Sequence, residues 1–151
     1  MTQERANNLL EATAERPRLS SDVRREEIMN DIEIAGKCFC GAVRFRAKGG
    51  PKGVAVCYCE DCTHAVGSEL TAWAQFPADC FQFTSGEPTR FESSPGVTRT
   101  FCGRCGTSLT YHYKDGSQVD VATAALDDRK AFPPRTQGGD KPSWLGGLAN
   151  K

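Results

Sequence analysis

The chain has 151 residues, 38% of them hydrophobic and 25% charged, so it can bury the core of one domain without covalent help. Lys and Arg together number 19, as do Asp and Glu, and this zero net charge excludes a strongly basic nucleic-acid-binding protein. No apolar run reaches the roughly 18 residues of a membrane span, and no apolar secretion segment begins the chain. These features predict a cytoplasmic protein with no membrane partner.

Residues 1–35 differ in composition from the rest of the chain. They contain no cysteine, glycine or aromatic residue. Ser20, Ser21 and Asp22 are good N-cap residues for a short helix, but no broad apolar stripe follows them. We therefore predict an N-terminal extension that is partly helical or disordered, with a docked helix as the alternative.

From residue 36 onward, short runs of alternating apolar and polar residues predict strands separated by turns. The run around Phe45, for example, alternates three apolar with three basic residues. Asp115-Gly116 indicates a hairpin between the last two strands. The predicted strands cover residues 43–47, 54–56, 70–76, 81–84, 89–92, 97–101, 108–113 and 118–122. The sequence thus predicts an all-β domain over residues 36–134, followed by a C-terminal loop or tail over residues 135–151.

Eight cysteines in a chain without an export signal indicate metal binding, because cytoplasmic thiols stay reduced. The alternative is a disulfide framework, since the number of cysteines is even. Cys38 and Cys40 are separated by one residue, as are Cys57 and Cys59. Neighbours this close do not readily form a disulfide with each other, but they converge easily on one ion.

Two of the cysteine pairs together make a complete ligand set for a structural zinc. Cys102 and Cys105 have the spacing of a zinc knuckle, and Gly106 allows a tight turn with positive φ after them. Cys38 and Cys40 supply two more thiolates. A closed zinc site needs four ligands, so we predict that these four cysteines bind one Zn²⁺ and tie an early strand to a late one.

The remaining clustered cysteines, Cys57, Cys59 and Cys62, form a set of three. Three protein ligands with an open fourth position are typical of a catalytic or ligand-binding zinc. A closed structural site is the alternative, with Cys80 or His64 as its fourth ligand, and a site without metal is another. Cys80 lies in a strand pattern that suits a small buried hydrophobic residue, and His64 is only two positions from Cys62. We therefore predict a second, open zinc site.

Three motifs carry a resemblance to a known family. They are GKCFCGAVRF at residues 36–45, CYCEDCTHAVGS at residues 57–68 and FCGRCGT at residues 101–107. In this order they resemble the motifs of the glutathione-dependent formaldehyde-activating enzyme family, which shares its domain with centromere protein V. Connecting segments such as Ala72-Trp73 also fit, and the resemblance covers residues 36–134.

The resemblance implies a β-tent of packed antiparallel sheets, similar to the Mss4-like fold. It also implies two zinc ions, a structural one in the outer two cysteine pairs and a second one near the substrate site. The family's named reaction joins glutathione and formaldehyde as S-(hydroxymethyl)glutathione, and it is classed as a carbon–sulfur lyase in the reverse direction. We therefore expect a zinc-dependent lyase-like enzyme whose partners are a small thiol such as glutathione and a small aldehyde.

Basic side chains can pair with the carboxylates of a peptide-like thiol, and the candidates for substrate binding are Arg99, Arg104 and Lys114. His64 and His112 are candidates for proton transfer. Each of these residues is also compatible with an ordinary solvated surface. The competing function is a non-catalytic binding module stabilised by two structural zinc sites, and a fourth protein ligand at the second site would favour it.

Overall fold

The computed structural model describes residues 31–114 and 116–146, which form two β-sheets. The first sheet is antiparallel and consists of β1 (Glu33–Lys37), β2 (Arg44–Lys48) and β5 (Phe81–Ser85), with β2 in the centre. The second sheet consists of β3 (Gly53–Cys57), β4 (Thr71–Pro77), β6 (Thr89–Ser94), β7 (Val97–Phe101), β8 (Ser108–Tyr113), β9 (Gln118–Ala122) and β10 (Thr136–Gly138). Its order is β10-β3-β4-β9-β8-β7-β6, and neighbouring strands are antiparallel except β10 and β3.

Short helical segments connect the strands. The α-helix α1 (Glu60–Val66) lies between β3 and β4. Single 3₁₀ turns are formed by Ala78–Cys80, Thr123–Ala125, Arg129–Ala131 and Ser143–Gly146. Among the described residues, no helix is long and apolar enough to cross a membrane.

The core lies between the sheets because each strand turns alternate side chains inward. The first sheet contributes Phe45 of β2 to this core, and the second sheet contributes Phe76 of β4 and Val121 of β9. All three side chains are fully buried. Gly36 is needed where the sheets meet: a Cβ there would lie 2.2 Å from the ring of Phe45 and 2.5 Å from the carbonyl oxygen of Ala125. Packing of these apolar side chains positions the connecting loops that contain the cysteines.

The opposite face of the seven-stranded sheet carries a row of polar and aromatic residues. Arg99 of β7 pairs in register with Tyr111 of β8, which pairs with Asp120 of β9. Asp120 pairs in turn with Gln75 of β4. Because directly paired residues project to the same face, these four side chains form one line across four strands.

The predicted all-β fold of packed antiparallel sheets is confirmed, and every predicted strand is present within one or two residues of its expected limits. Three elements are not indicated by the pattern: β1, α1 and β10. The helix does have local signals, since two acidic residues occupy its first turn and Gly67 ends it in the left-handed conformation. Those signals lie inside the second cysteine motif, whose spacing is interpreted as that of metal ligands, so the helix is not predicted.

The prediction of loop throughout residues 135–151 is wrong at β10. None of its three residues carries an apolar side chain and all three are exposed, so they show no alternation. They form a strand because the backbone of β3 pairs with them in parallel, from Thr136 opposite Ala55 to Gly138 opposite Cys57. Most of the N-terminal extension predicted over residues 1–35 lies outside the described residues. Its last residues belong to the domain, since β1 starts at Glu33 and Ile34 is buried.

Candidate metal centres

Four cysteines from the two sheets meet at one point and are called here the outer cluster (Cys38, Cys40, Cys102 and Cys105). Cys38 follows β1 in the first sheet, and Cys102 follows β7 in the second. The Sγ atoms of Cys38 and Cys40 are 3.6 Å apart, and those of Cys40 and Cys102 are 3.8 Å apart. All four sulfurs lie within 4.8 Å of one another. The cluster can hold a metal ion, and it links the two sheets.

Tight turns aim the sulfurs of the outer cluster. Gly41 and Gly106 have φ angles of 73° and 75°, a left-handed conformation that glycine adopts at little cost. In the first turn, the backbone N–H of Val43 donates to Cys38 Sγ over 3.3 Å. Such an N–H spreads negative charge away from a thiolate, as the knuckle interpretation predicts.

Thr107 is a supporting residue that ligand counting does not reveal. Its hydroxyl lies 3.1 Å from Cys105 Sγ, and this hydrogen bond is the main cause that lowers the pKa of Cys105 to about 5. The same hydroxyl oxygen accepts a hydrogen bond from the backbone N–H of Phe39 over 3.0 Å. Its place directly after Gly106 in the third motif is the one signal for it in the sequence.

Three of the other four cysteines come together where β3 passes into α1, and they are called here the middle trio (Cys57, Cys59 and Cys62). Cys57 ends β3, Cys59 is the N-cap of α1, and Cys62 lies buried in the first turns of the helix. The Sγ atoms of Cys57 and Cys59 are 3.3 Å apart, and all three sulfurs lie within 4.8 Å of one another. The middle trio can therefore also hold a metal ion.

No fourth His, Cys, Asp or Glu ligand atom in the described part of the chain joins the middle trio. Cys80 follows β4 at the far end from Thr71, the partner of Cys57, which places it about 20 Å away along the strand. His64 is exposed on α1 and lines a different cavity. Neither of the two proposed fourth ligands is in place.

The middle trio faces a cavity of about 400 Å³ against the polar row of the seven-stranded sheet. Trp73, Tyr111 and Asp120 form part of its wall. Burial raises the pKa of the Asp120 carboxyl and of the Tyr111 hydroxyl above their ordinary values. Trp73 Nε1 is buried and has no hydrogen-bond partner in the described structure. An unpaired buried donor is costly, and such local conflicts concentrate at functional sites.

Strand β10 supports the middle trio from the edge of the sheet. The N–H of Tyr58 donates to the carbonyl of Gly138 over 2.9 Å. Gly139 has a φ of 77°, and a Cβ on it would lie 2.8 Å from the backbone nitrogen of Cys59. The chain can approach Cys59 this closely only because residue 139 lacks a side chain.

The chain matches known proteins both in sequence and in fold. The sequence model of the glutathione-dependent formaldehyde-activating enzyme family matches residues 33–138, from the first residue of β1 to the last of β10. The chain belongs to this family. It is also 30% identical over 96 residues to an uncharacterized lyase of Schizosaccharomyces pombe. The aligned region covers 62% of this chain and 68% of that relative. In fold it resembles the crystal structure of a Rhodobacter sphaeroides protein, with a TM-score of 0.57 and 19% identity over 69% of this chain and 99% of that one.

Within this family member, the three basic residues predicted to bind substrate lie in different places. Arg99 is buried, and its terminal nitrogens lie 4.0 and 3.8 Å from Cys62 Sγ. Arg104 is exposed in the turn of the outer cluster, and Lys114 is exposed after β8. None of the three lines the cavity at the middle trio, and Arg99 instead lines a second cavity, next to α1. Of the three, Arg99 alone contacts a cysteine of the middle trio.

The two histidines are also away from this cavity. His64 lines a second cavity, of about 380 Å³, between α1 and the strands β6 and β7. His112 Nδ1 lies 3.1 Å from the carbonyl oxygen of Gln118. It follows Tyr111 in β8 and so projects to the opposite face of the sheet. The titratable carboxyl at the cavity of the middle trio is instead Asp120, which sequence reasoning does not single out.

Proposed function

We propose that this protein is a zinc-dependent carbon–sulfur lyase-like enzyme that acts on a thiol–aldehyde adduct of the S-(hydroxymethyl)glutathione type. The observation that carries the proposal is the middle trio: three sulfurs within 4.8 Å, no fourth protein ligand in the described structure, and an adjoining cavity. Three protein ligands and an open position are the pattern of a reactive zinc site. The family membership supports glutathione and formaldehyde as the substrate pair.

The outer cluster fits zinc in the number and spacing of its thiols, and the middle trio fits it in the type of its donors. Tetrahedral zinc with Zn–S bonds of about 2.3 Å requires sulfurs about 3.8 Å apart. The outer cluster has separations of 3.6 and 3.8 Å and a complete set of four thiols. We assign it a structural Zn²⁺ and assign the middle trio a second Zn²⁺. Seven reduced cysteines are required, which supports work in a reducing compartment such as the cytoplasm.

When bound by the middle trio, zinc supplies an open position at which a thiol has a lowered pKa. Asp120 then acts as the proton acceptor for the adduct. In the cleavage direction the carbon–sulfur bond breaks with its electron pair passing to sulfur, and the hydroxyl oxygen forms the carbonyl. The hydroxyl proton passes to an Asp120 carboxylate oxygen. A carboxyl whose pKa is raised by burial is better suited to this transfer near neutral pH.

A measurement of metal content followed by kinetics tests the proposal. We expect two zinc ions per chain and a faster exchange between glutathione plus formaldehyde and their adduct, followed by NMR. Cys59→Ser should retain one zinc and abolish the acceleration, and Asp120→Asn should retain both and slow it. Exchange at the uncatalysed rate in the fully loaded protein would contradict the enzyme assignment and favour the binding module.

A further inference from the structure

Arg99 is a buried cation without a carboxylate partner among the described residues. Its side chain is 8% exposed. The described ion pairs join Lys37 to Asp127 and Arg46 to Glu33, and neither includes it. A buried guanidinium without a countercharge is strongly destabilising. Its environment must therefore provide negative charge from another source.

The contacts of Arg99 identify that source as the middle trio. Both terminal nitrogens lie within 4.0 Å of Cys62 Sγ. Nε donates to Ser93 Oγ over 3.1 Å, and the guanidinium carbon is 4.7 Å from the centre of the Tyr111 ring. These contacts hold the planar group on two sides, so its charge stays directed at the sulfur.

We propose that Arg99 is a positioning residue that balances the charge of the middle trio and so allows an anionic thiolate to take the open position. This inference rests on the proposed function. Three thiolates and a divalent ion would sum to a charge of −1, and Arg99 would bring the total for the ion, its thiolates and the guanidinium to zero. An incoming thiol would lose its S–H proton to solvent, and its thiolate would return this total to −1, whereas without Arg99 the total would be −2. Charges this close interact strongly where water is excluded.

The alternative role for Arg99 is to bind a substrate carboxylate directly. Three of its five N–H groups are directed at Cys62 and Ser93, which leaves one N–H on each terminal nitrogen for any further contact. The two roles differ in which ligands they favour. Charge balance favours every thiolate, whereas a carboxylate contact favours only thiols that carry a carboxylate.

Three probes separate these roles in the cobalt-substituted full-length protein, whose visible absorption reports ligand binding. They are glutathione, 2-mercaptoethanol and neutral imidazole. We expect Arg99→Gln to weaken the binding of both thiols by a similar factor. This factor should be about 10- to 100-fold, as for other residues that contact metal ligands. Imidazole affinity should be unchanged. Arg99→Lys should restore part of the thiol affinity, and Arg90→Gln on the exposed strand β6 is the matched control.

Each other outcome overturns the inference in an identifiable way. An equal loss of affinity for imidazole and for the thiols in Arg99→Gln would mean that Arg99 only maintains the structure. A loss of affinity for glutathione alone would mean that Arg99 contacts a carboxylate of glutathione. Unchanged thiol affinity in Arg99→Gln would remove the role of Arg99 while leaving the proposed function intact. If the wild-type protein binds no thiol, both the role of Arg99 and the proposed function are wrong. If Arg99→Gln does not fold, the ratio of thiol to imidazole affinity in Arg99→Lys provides the same comparison.

Discussion

The backbone N–H of Phe39 donates a hydrogen bond to Thr107 Oγ1 over 3.0 Å, across 68 positions of the chain. This bond joins the two cysteine turns directly, in addition to any metal they share. Phe39 itself is 92% exposed, so the contact comes from its backbone and not from packing of its ring. The two sheets are thus connected at the outer cluster by a polar contact, and a metal ion bound there would add a second connection, so we expect this cluster to control stability.

Replacing a ligand of the outer cluster should unfold the domain. The binding free energy of a structural zinc is about 10–16 kcal/mol in zinc-finger peptides, comparable with the roughly 5–15 kcal/mol stability of a whole domain. We therefore expect Cys105→Ser to abolish cooperative thermal unfolding, measured by circular dichroism. Cys80→Ser, outside both clusters, is the control. A Cys105→Ser protein with wild-type melting would rule out a structural ion there.

Replacing a ligand of the middle trio should leave the fold largely intact. The first zinc and the buried core still hold the sheets together after Cys59→Ser. Cys59 is the N-cap of α1 without a side-chain capping bond, and serine is a better residue at that position. We expect one zinc per chain, no thiol binding and most of the wild-type melting temperature. Unfolding as complete as that of Cys105→Ser would instead make this site structural.

A methyl group at residue 139 should impair metal binding by the middle trio, although this residue is far from the trio in the sequence. Gly139→Ala places a Cβ 2.8 Å from the backbone nitrogen of Cys59 and also requires alanine at a φ of 77°. We expect loss of the second zinc with the first retained, measured by metal analysis. Gly138→Ala, where a Cβ meets no atom within 4 Å, should behave as wild type.

A second control separates contact from backbone strain. Gly96→Ala introduces the same strain at a φ of 78° in the β6–β7 turn, where the nearest atom to a Cβ is 3.9 Å away. It should lower the melting temperature slightly and keep both zinc ions. Loss of the second zinc in Gly96→Ala as well would show that strain alone, and not the approach to Cys59, is responsible.

The pH dependence of stability should include a contribution from Asp120. Burial raises its folded-state pKa above the ordinary 3.8, with His112 acting in the opposite direction. The stabilising effect of the proton is complete below 3.8 and is lost as the pH rises through the folded pKa. Asp120→Asn should therefore gain stability relative to wild type as the pH rises from 3.8 toward neutral.

Denaturant unfolding of both proteins at a series of pH values measures this difference. Comparison at each pH removes the effect of metal loss in acid, which the two proteins share. A constant difference for Asp120→Asn would show that the carboxyl titrates alike in the folded and unfolded states.

The N-terminal extension should be separable from the zinc sites. The described fold needs Ile34 in the core and Ile32 as a backbone partner of Gly49, but both lie after residue 30. A chain that begins at Met29 should therefore bind two zinc ions and unfold cooperatively, measured by metal analysis and calorimetry. Loss of either property would show that residues 1–28 are an integral part of the domain.

The sequence by itself determined the strands from β2 to β9 and the division of seven cysteines into four and three. Both are local signals: alternation follows from the two faces of a strand, and ligand spacing follows from the geometry of a tight turn. Gly41 and Gly106 could likewise be assigned to positive φ from their place after cysteine pairs. The tertiary structure alone decided what surrounds the middle trio. Asp120, Trp73 and Gly139 come from three distant segments, and Arg99 is directed at Cys62 across 37 positions. Cross-strand register and the parallel pairing of β10 create these contacts, and both join segments that are far apart in the chain, so no single local pattern indicates them.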